Sequence, residues 1–296
     1  MNEKAVAQLI RARAIARRER EFAQRQLLPE DDDFKATVEA KLRGLCDTPQ
    51  FRNFERCGNE EIFRTCKHCG QVEKFKYRCN IKWCPRCQWR VVQMRQKLIG
   101  LWASKILQPK HLVLTQKNFP ILTRRKIRRH SAALRLMRRR DSLKKMRGGC
   151  TSVEITNEGN GWHLHSHWLI DCDWLVMPEV AKDWAQIVGQ EFAVCKVMDC
   201  RGKEYVQEVS KYVCEGSELA KWPAEKLNEF VRAIRGLRFF FAFGSLFALG
   251  PAIRAELEAQ SKPPPECDCG ESAFVYRSET DEVLHEIQVA TRARRR

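Results

Sequence analysis

The sequence has no long apolar run. Its most hydrophobic stretch, RFFFAFGSLFALG at 238–250, is too short to span a bilayer and is broken by two glycines. No membrane partner is therefore expected, and the run reads as a core strand plus a turn. The N-terminus, MNEKAVAQLIRARAIARRERE, lacks an uninterrupted apolar stretch and a small-residue cleavage site, so no secretory signal is expected. No internal repeat is visible. Acidic residues are scarce beside basic ones, 37 against 54, and a formal net charge of +17 points to a polyanionic partner such as nucleic acid. Cysteine is abundant, at fourteen residues. Without an export signal these predict metal ligands or free thiols in a reducing cytoplasm, and not a disulfide framework. With 44% apolar residues over 296 positions, the chain can bury one main core beside an appended module.

Four parts are legible. Residues 1–50 form a basic, helical N-terminal arm with an acidic break, PEDDD, at 29–33; residues 51–92 are a cysteine-rich zinc-binding module. Residues 108–250 alternate strand-like and helix-like segments. From 251 a Pro run and a basic end, RARRR, predict a flexible C-terminal tail to 296. Within the third part, HLVLTQKN (111–118) alternates as a half-buried strand. The stretch 124–147 carries twelve Lys/Arg against the single Asp141 and reads as a helix ended by Gly148-Gly149. CTSVEIT and WHLHSHWLI flank NEGNG as a hairpin. A helix, a short strand (CKVMD), another helix and the strand FFFAF follow. The order β-α-β-β-α-β-α-β predicts an α+β fold, an antiparallel-type sheet with helices on one face, plus an N-terminal zinc ribbon.

The cysteine segment reads CKHCGQVEKFKYRCNIKWCPRCQWR. Cys66 and Cys69 form one knuckle and Cys84 and Cys87 another, each suited to two corners of a tetrahedral zinc site. Cys79 is a fifth candidate and Cys57 a sixth, so spacing alone leaves the four ligands open. Cys267 and Cys269 are a further pair, either weakly metal-binding or idle.

In GNGWHLHSHWLID (159–171), strand alternation turns His163, His165 and His167 to one side. Three imidazoles on one face are hard to justify by packing, because each would need a buried partner; they predict a divalent metal site. Pairing about the NEGNG turn sets Glu154 opposite residues 164–165, making it a candidate further ligand. In KEYVQEVSKYVCEG, Tyr205, Glu208 and Tyr212 share one helical face. A tyrosine Oη can attack a phosphodiester once the phosphate is polarised, and Glu208 can activate water.

In this order, HLVLT (111–115), WHLHSHWLI (162–170) and EVSKYV (208–213) resemble the HUH superfamily of single-strand endonucleases, most closely its rolling-circle replication initiators. AIRGLRFFFAFG (233–244) is similar to that family's closing strand, and Cys79-x4-Cys84-Pro-x-Cys87 to the cysteine segment before its nuclease domain. The likeness covers roughly 57–245. It implies an HUH, RRM-like nuclease domain in which His165 and His167 hold Mg²⁺ or Mn²⁺, with His163 as an accessory. It further implies Tyr212 as the nucleophile, Glu208 in place of a second tyrosine, and single-stranded origin DNA as substrate, with host helicase and polymerase as partners. A lysine commonly expected three residues after the tyrosine is replaced by Glu215, and Lys211 is its substitute. Arg124, Arg125, Arg128 and Arg129 are then DNA-backbone contacts. A rolling-circle transposase with the same chemistry, a non-catalytic zinc-ribbon DNA-binding regulator and a zinc metallohydrolase are the competing readings.

Overall fold

A computed structural model describes residues 29–200, 206, 209–210, 214, 216–259, 267–270, 273–278 and 283–287. Of the expected basic arm, residues 1–28 lie outside this set. PEDDD opens a helix, α1 (Pro29–Leu42). Proline in the first turn and acidic residues beside the unpaired N–H groups suit a helix start. After α2 (Pro49–Arg56) comes a hairpin, β1 (Glu61–Cys66) and β2 (Val72–Lys76), and then α3 (Pro85–Ala103). This 19-residue helix runs through the boundary expected at 92.

The main sheet contains β3 (Pro109–Thr115), β4 (Gly148–Thr156), β5 (His163–Asp171), β6 (Cys195–Asp199) and β7 (Phe240–Phe243). Its order is β6-β3-β5-β4-β7, and every neighbouring pair is antiparallel. Alternation along these strands builds two different faces. Leu112, Leu114, Val153, Ile155, Leu164, Trp168 and Ile170 belong to the largest core. They pack under α4 (Arg124–Met137), α5 (Met177–Val188) and α7 (Ala224–Ile234), which supply Ile127, Leu134, Val180, Trp184, Leu227 and Phe230 to the same cluster. A short helix, α6 (Gly216–Lys221), is tied to α1: Lys41 Nζ donates to the carbonyls of Ala220 at 2.6 Å and Trp222 at 2.8 Å.

Helices do not keep to one face. Ile99 and Trp102 of α3, with Leu246 and Ile253 of α8 (Gly244–Ala259), pack against Cys150, Leu169 and Val209 on the other. They cover the end of this face remote from the NEGNG turn. The run at 238–250, expected as strand plus turn, is instead a four-residue strand leading directly into a 16-residue helix. Gly244 makes the switch at φ +54°, and a Cβ there would stand 2.5 Å from the Arg147 carbonyl oxygen.

The basic helix also ends early. α4 stops at Met137, a 3-10 turn spans Asp141–Leu143, and Gly148 and Gly149 are strand residues, not a helix stop. Burial of Met137 and Leu143 draws the chain back onto the core. The tail expected to be flexible contributes β8 (Phe274–Ser278) and β9 (Val283–Ile287). These complete a second antiparallel sheet of order β2-β1-β8-β9. Among the described residues no helix is long and apolar enough to cross a membrane.

Candidate metal centre and its surroundings

The β4–β5 hairpin sets the first cluster. Its turn closes through Gly161, at φ +91°, where a Cβ would lie 2.8 Å from the Phe119 carbonyl oxygen, so only glycine lets Trp162 pair with Phe119. The register then places Glu154 directly opposite His165 and Ser152 opposite His167. Glu154 Oε2 lies 2.6 Å from His165 Nε2 and 3.1 Å from His167 Nε2. The three potential ligand atoms lie within 4.8 Å of one another. Burial opposes ionisation of the Glu154 carboxyl, but the two imidazole hydrogen bonds outweigh it and hold its pKa well below the usual carboxylate range. Two imidazole nitrogens and one carboxylate oxygen, half-buried and convergent, suit a divalent cation.

His163 stands apart from this group. Its Nδ1 lies 2.6 Å from Asn118 Oδ1, and burial, with the neighbouring His165, lowers its pKa. A different histidine supports the cluster. His111 of β3 is buried, and its Nε2 lies 3.3 Å from His167 Nδ1, the ring nitrogen turned away from Glu154. Such a contact sets tautomer and ring orientation, as partners behind metal-binding histidines do. Sequence reading included His111 in a strand motif but gave it no role. Strand parity was the available signal, and only the β3–β5 register turned it into a contact.

Tyr205, Glu208, Lys211, Tyr212 and Glu215 lie outside the described residues. Around them Val206, Val209 and Ser210 are helical. Val209 is fully buried against Leu169 and Cys150, on the same face of the sheet as His165 and His167. Gln88 Nε2, on α3, donates to the Cys214 carbonyl at 2.5 Å. Arg95, also on α3, stacks over Phe240, whose partner across β4 is Ser152. Burial lowers the pKa of this guanidinium, which stays charged at neutral pH.

The cysteines sort differently from the spacing. Cys84 and Cys87 join Cys57 and Cys79, not Cys66 and Cys69. The Sγ separations are 3.5 Å for Cys57–Cys87, 3.7 Å for Cys57–Cys84 and 3.8 Å for Cys79–Cys87. A tetrahedron of Zn–S bonds of about 2.3 Å has edges of about 3.8 Å. Hydrogen bonds from Cys79, then Cys84 and Cys87, hold the Cys57 thiol far below its ordinary range, while the bond to Cys57 pushes Cys79 and Cys84 up, so the four thiols act on one another as a single cluster. Cys57, Cys84 and Cys87 are buried in the main core beside Phe54 and Trp83. Cys66 and Cys69 meet Cys267 and Cys269 instead.

Arg124, Arg125, Arg128 and Arg129 are exposed on α4, on the layer opposite the Glu154–His165–His167 group. Arg124 Nη1 also donates to the Arg235 carbonyl at 2.6 Å. Where α4 ends, Arg135, Arg138, Arg139 and Arg147 line a cleft of about 310 Å³ at the start of α8.

An antiparallel sheet bearing a two-histidine, one-carboxylate group, in a chain of net charge +17, defines a basic α+β protein with a candidate metal centre. A family model described as Replication protein matches residues 73–261. The chain belongs to this family, and the match supports a rolling-circle replication initiator of the HUH type. No curated protein and no solved structure matches it.

Proposed function

We propose that this replication protein nicks single-stranded DNA at a plasmid origin through Tyr212 and rejoins strands at termination. One observation carries the reading: Glu154, His165 and His167 converge on the face against which Val209, three residues before Tyr212, is packed. A bound Mg²⁺ or Mn²⁺ would supply Lewis acidity and charge neutralisation at the scissile phosphate. The chain's own groups do the rest. His165, His167 and Glu154 are the ligands, and His111 fixes the ring of His167. Arg95 adds positive charge on the same face.

The Tyr212 oxygen forms a bond to phosphorus as the bond to the 3′ oxygen breaks. The phenolic proton is lost, and the products are a 5′-phosphotyrosyl link and a free 3′-OH. A host polymerase extends that end behind a host helicase. At termination Glu208 takes a proton from water, which cleaves the regenerated site; the new 3′-OH then attacks the phosphotyrosine and releases Tyr212. Cys57, Cys79, Cys84 and Cys87 would hold a zinc ion that ties α3 to the N-terminal hairpin, and Gln88 on that helix donates to the Cys214 carbonyl, two residues after the tyrosine. Arg124, Arg125, Arg128 and Arg129 face away from the metal group, so they contact phosphates of the flanking DNA and not the scissile one. Lys211, beside the tyrosine, is assigned to the nearer phosphates.

The test is incubation with end-labelled single-stranded origin DNA and Mn²⁺, followed by denaturing electrophoresis. A protein–DNA adduct that vanishes in Tyr212→Phe is the expected result. Salt-sensitive DNA binding without any adduct in the wild type would make the protein a non-catalytic regulator.

A further inference from the structure

The family match starts at residue 73 and ends at residue 261. Cys66 and Cys69 precede it, and Cys267 and Cys269 follow it. These four flanking cysteines nevertheless meet: Cys66 and Cys269 Sγ are 3.7 Å apart, and Cys69 and Cys267 Sγ 3.4 Å. Both values are far above the roughly 2.05 Å of a disulfide and close to the roughly 3.8 Å edge of a tetrathiolate zinc tetrahedron.

The backbone is shaped to match. Cys66-x2-Cys69-Gly70 and Cys267-x-Cys269-Gly270 are two knuckles, each followed by a glycine at positive φ, +75° and +83°. In each, the glycine N–H returns to the carbonyl of the first cysteine, at 3.1 Å and 2.8 Å. Backbone N–H groups of Cys69 and His68 hydrogen-bond the Cys66 sulfur, as in a thiolate knuckle. β1 pairs with β8 so that Cys66 faces Phe274, and Lys67 N donates to the Ala273 carbonyl at 2.9 Å. The apolar support is small: Cys66, Cys267 and Phe274 form a cluster of their own, with Tyr276 against it. A sheet joined across 200 residues of chain on so little core needs another cross-link.

We propose that Cys66, Cys69, Cys267 and Cys269 bind a second zinc ion, which clasps the two flanks of the replication domain into one ribbon. All four side chains supply thiolate sulfur, a soft donor set that selects zinc over Mg²⁺. Cys69 and Cys269 are exposed, so this ion is reached from solvent, whereas Cys57, Cys84 and Cys87 of the other set are buried and Cys79 is partly so. The clasp does not depend on the nicking reading.

Zinc content of the purified full-length chain tests it, with chelator-release kinetics as the second measurement. Two zinc ions per chain are expected, one leaving fast and one slowly. Cys267→Ser/Cys269→Ser should hold one ion, lose the fast phase, expose the segment after residue 267 to protease and still form the Tyr212 adduct. One zinc per chain in the wild type, or two in the double variant, would overturn the proposal. Where the double variant is insoluble, the wild-type stoichiometry and its two release phases decide.

Discussion

The two faces of the β4–β5 hairpin are made by the same residues' alternation, yet they differ in kind. One side carries Val153, Ile155, Leu164 and Trp168, all buried in the main core. The other carries Glu154, His165 and His167, whose polar atoms point at one another and, through His167 Nδ1, at His111. Even this second face is divided. Its far end is packed with Cys150 and Leu169 under α3 and α8, and its near end holds the charged cluster. Stability and chemistry are thus separated by a step of one residue along the strand and about four residues between its ends.

This separation can be broken from either side. His165→Ala should lower the nicking rate by roughly 10²- to 10⁴-fold, the equivalent of several kcal/mol of lost metal assistance. Its melting temperature should stay within a few degrees of wild type; a collapse of the fold would show that the imidazole is a core residue. Trp168→Ala, one strand position beyond His167, should do the reverse. The indole is fully buried, stacks edge-on to Phe243 and donates to Ser166 Oγ at 3.0 Å. Its loss should cost about 3–5 kcal/mol in denaturant unfolding, with the Mn²⁺ requirement of the remaining folded protein unchanged. A shifted Mn²⁺ requirement would mean that the two faces are coupled.

The smallest effect is expected at the packed end. Asp171 accepts from Arg147 Nε at 2.9 Å and Nη2 at 2.5 Å, and this guanidinium holds its carboxyl below the usual range. A carboxylate with a depressed folded-state pKa adds stability above its unfolded pKa of about 3.9, and that stability is lost as pH falls through the folded value. Asp171→Asn should therefore cost about 1 kcal/mol at pH 7, because the Arg147 side of the pair is substantially exposed. The gap should close below about pH 4. A gap that persisted in acid would remove the ion pair as its cause.

Much of the candidate metal centre was legible because its signals are local. Alternation over nine residues set the common face of His165 and His167, and pairing about the NEGNG turn set Glu154 opposite residues 164–165. The register that selects His165 came only with the Trp162–Phe119 pairing that lengthens the connection by one residue. The strand order along the chain followed from the same periodicities. Helix ends were less legible: Gly148-Gly149 looks like a helix stop, but the core turned the chain ten residues earlier. The run FFFAFGSLF carries no periodicity that separates a strand from a helix start, so α8 was missed, and with it the second helical layer.

By itself, the order of residues determined which side chains share a strand face, where the hairpin turns, and that thiols and positive charge are present in excess. These depend on neighbours within a few positions. Only the tertiary structure decided which thiols meet, that His111 stands behind His167, and that the C-terminal segment is a strand beside β1. Those pairings run from Cys57–Cys87, 30 positions apart, through His111–His167, 56 apart, to Ile62–Ser278 across β1 and β8, at opposite ends of the described chain. Contacts at such separations are set by sheet register and by the shared burial of whole elements, which no local spacing records.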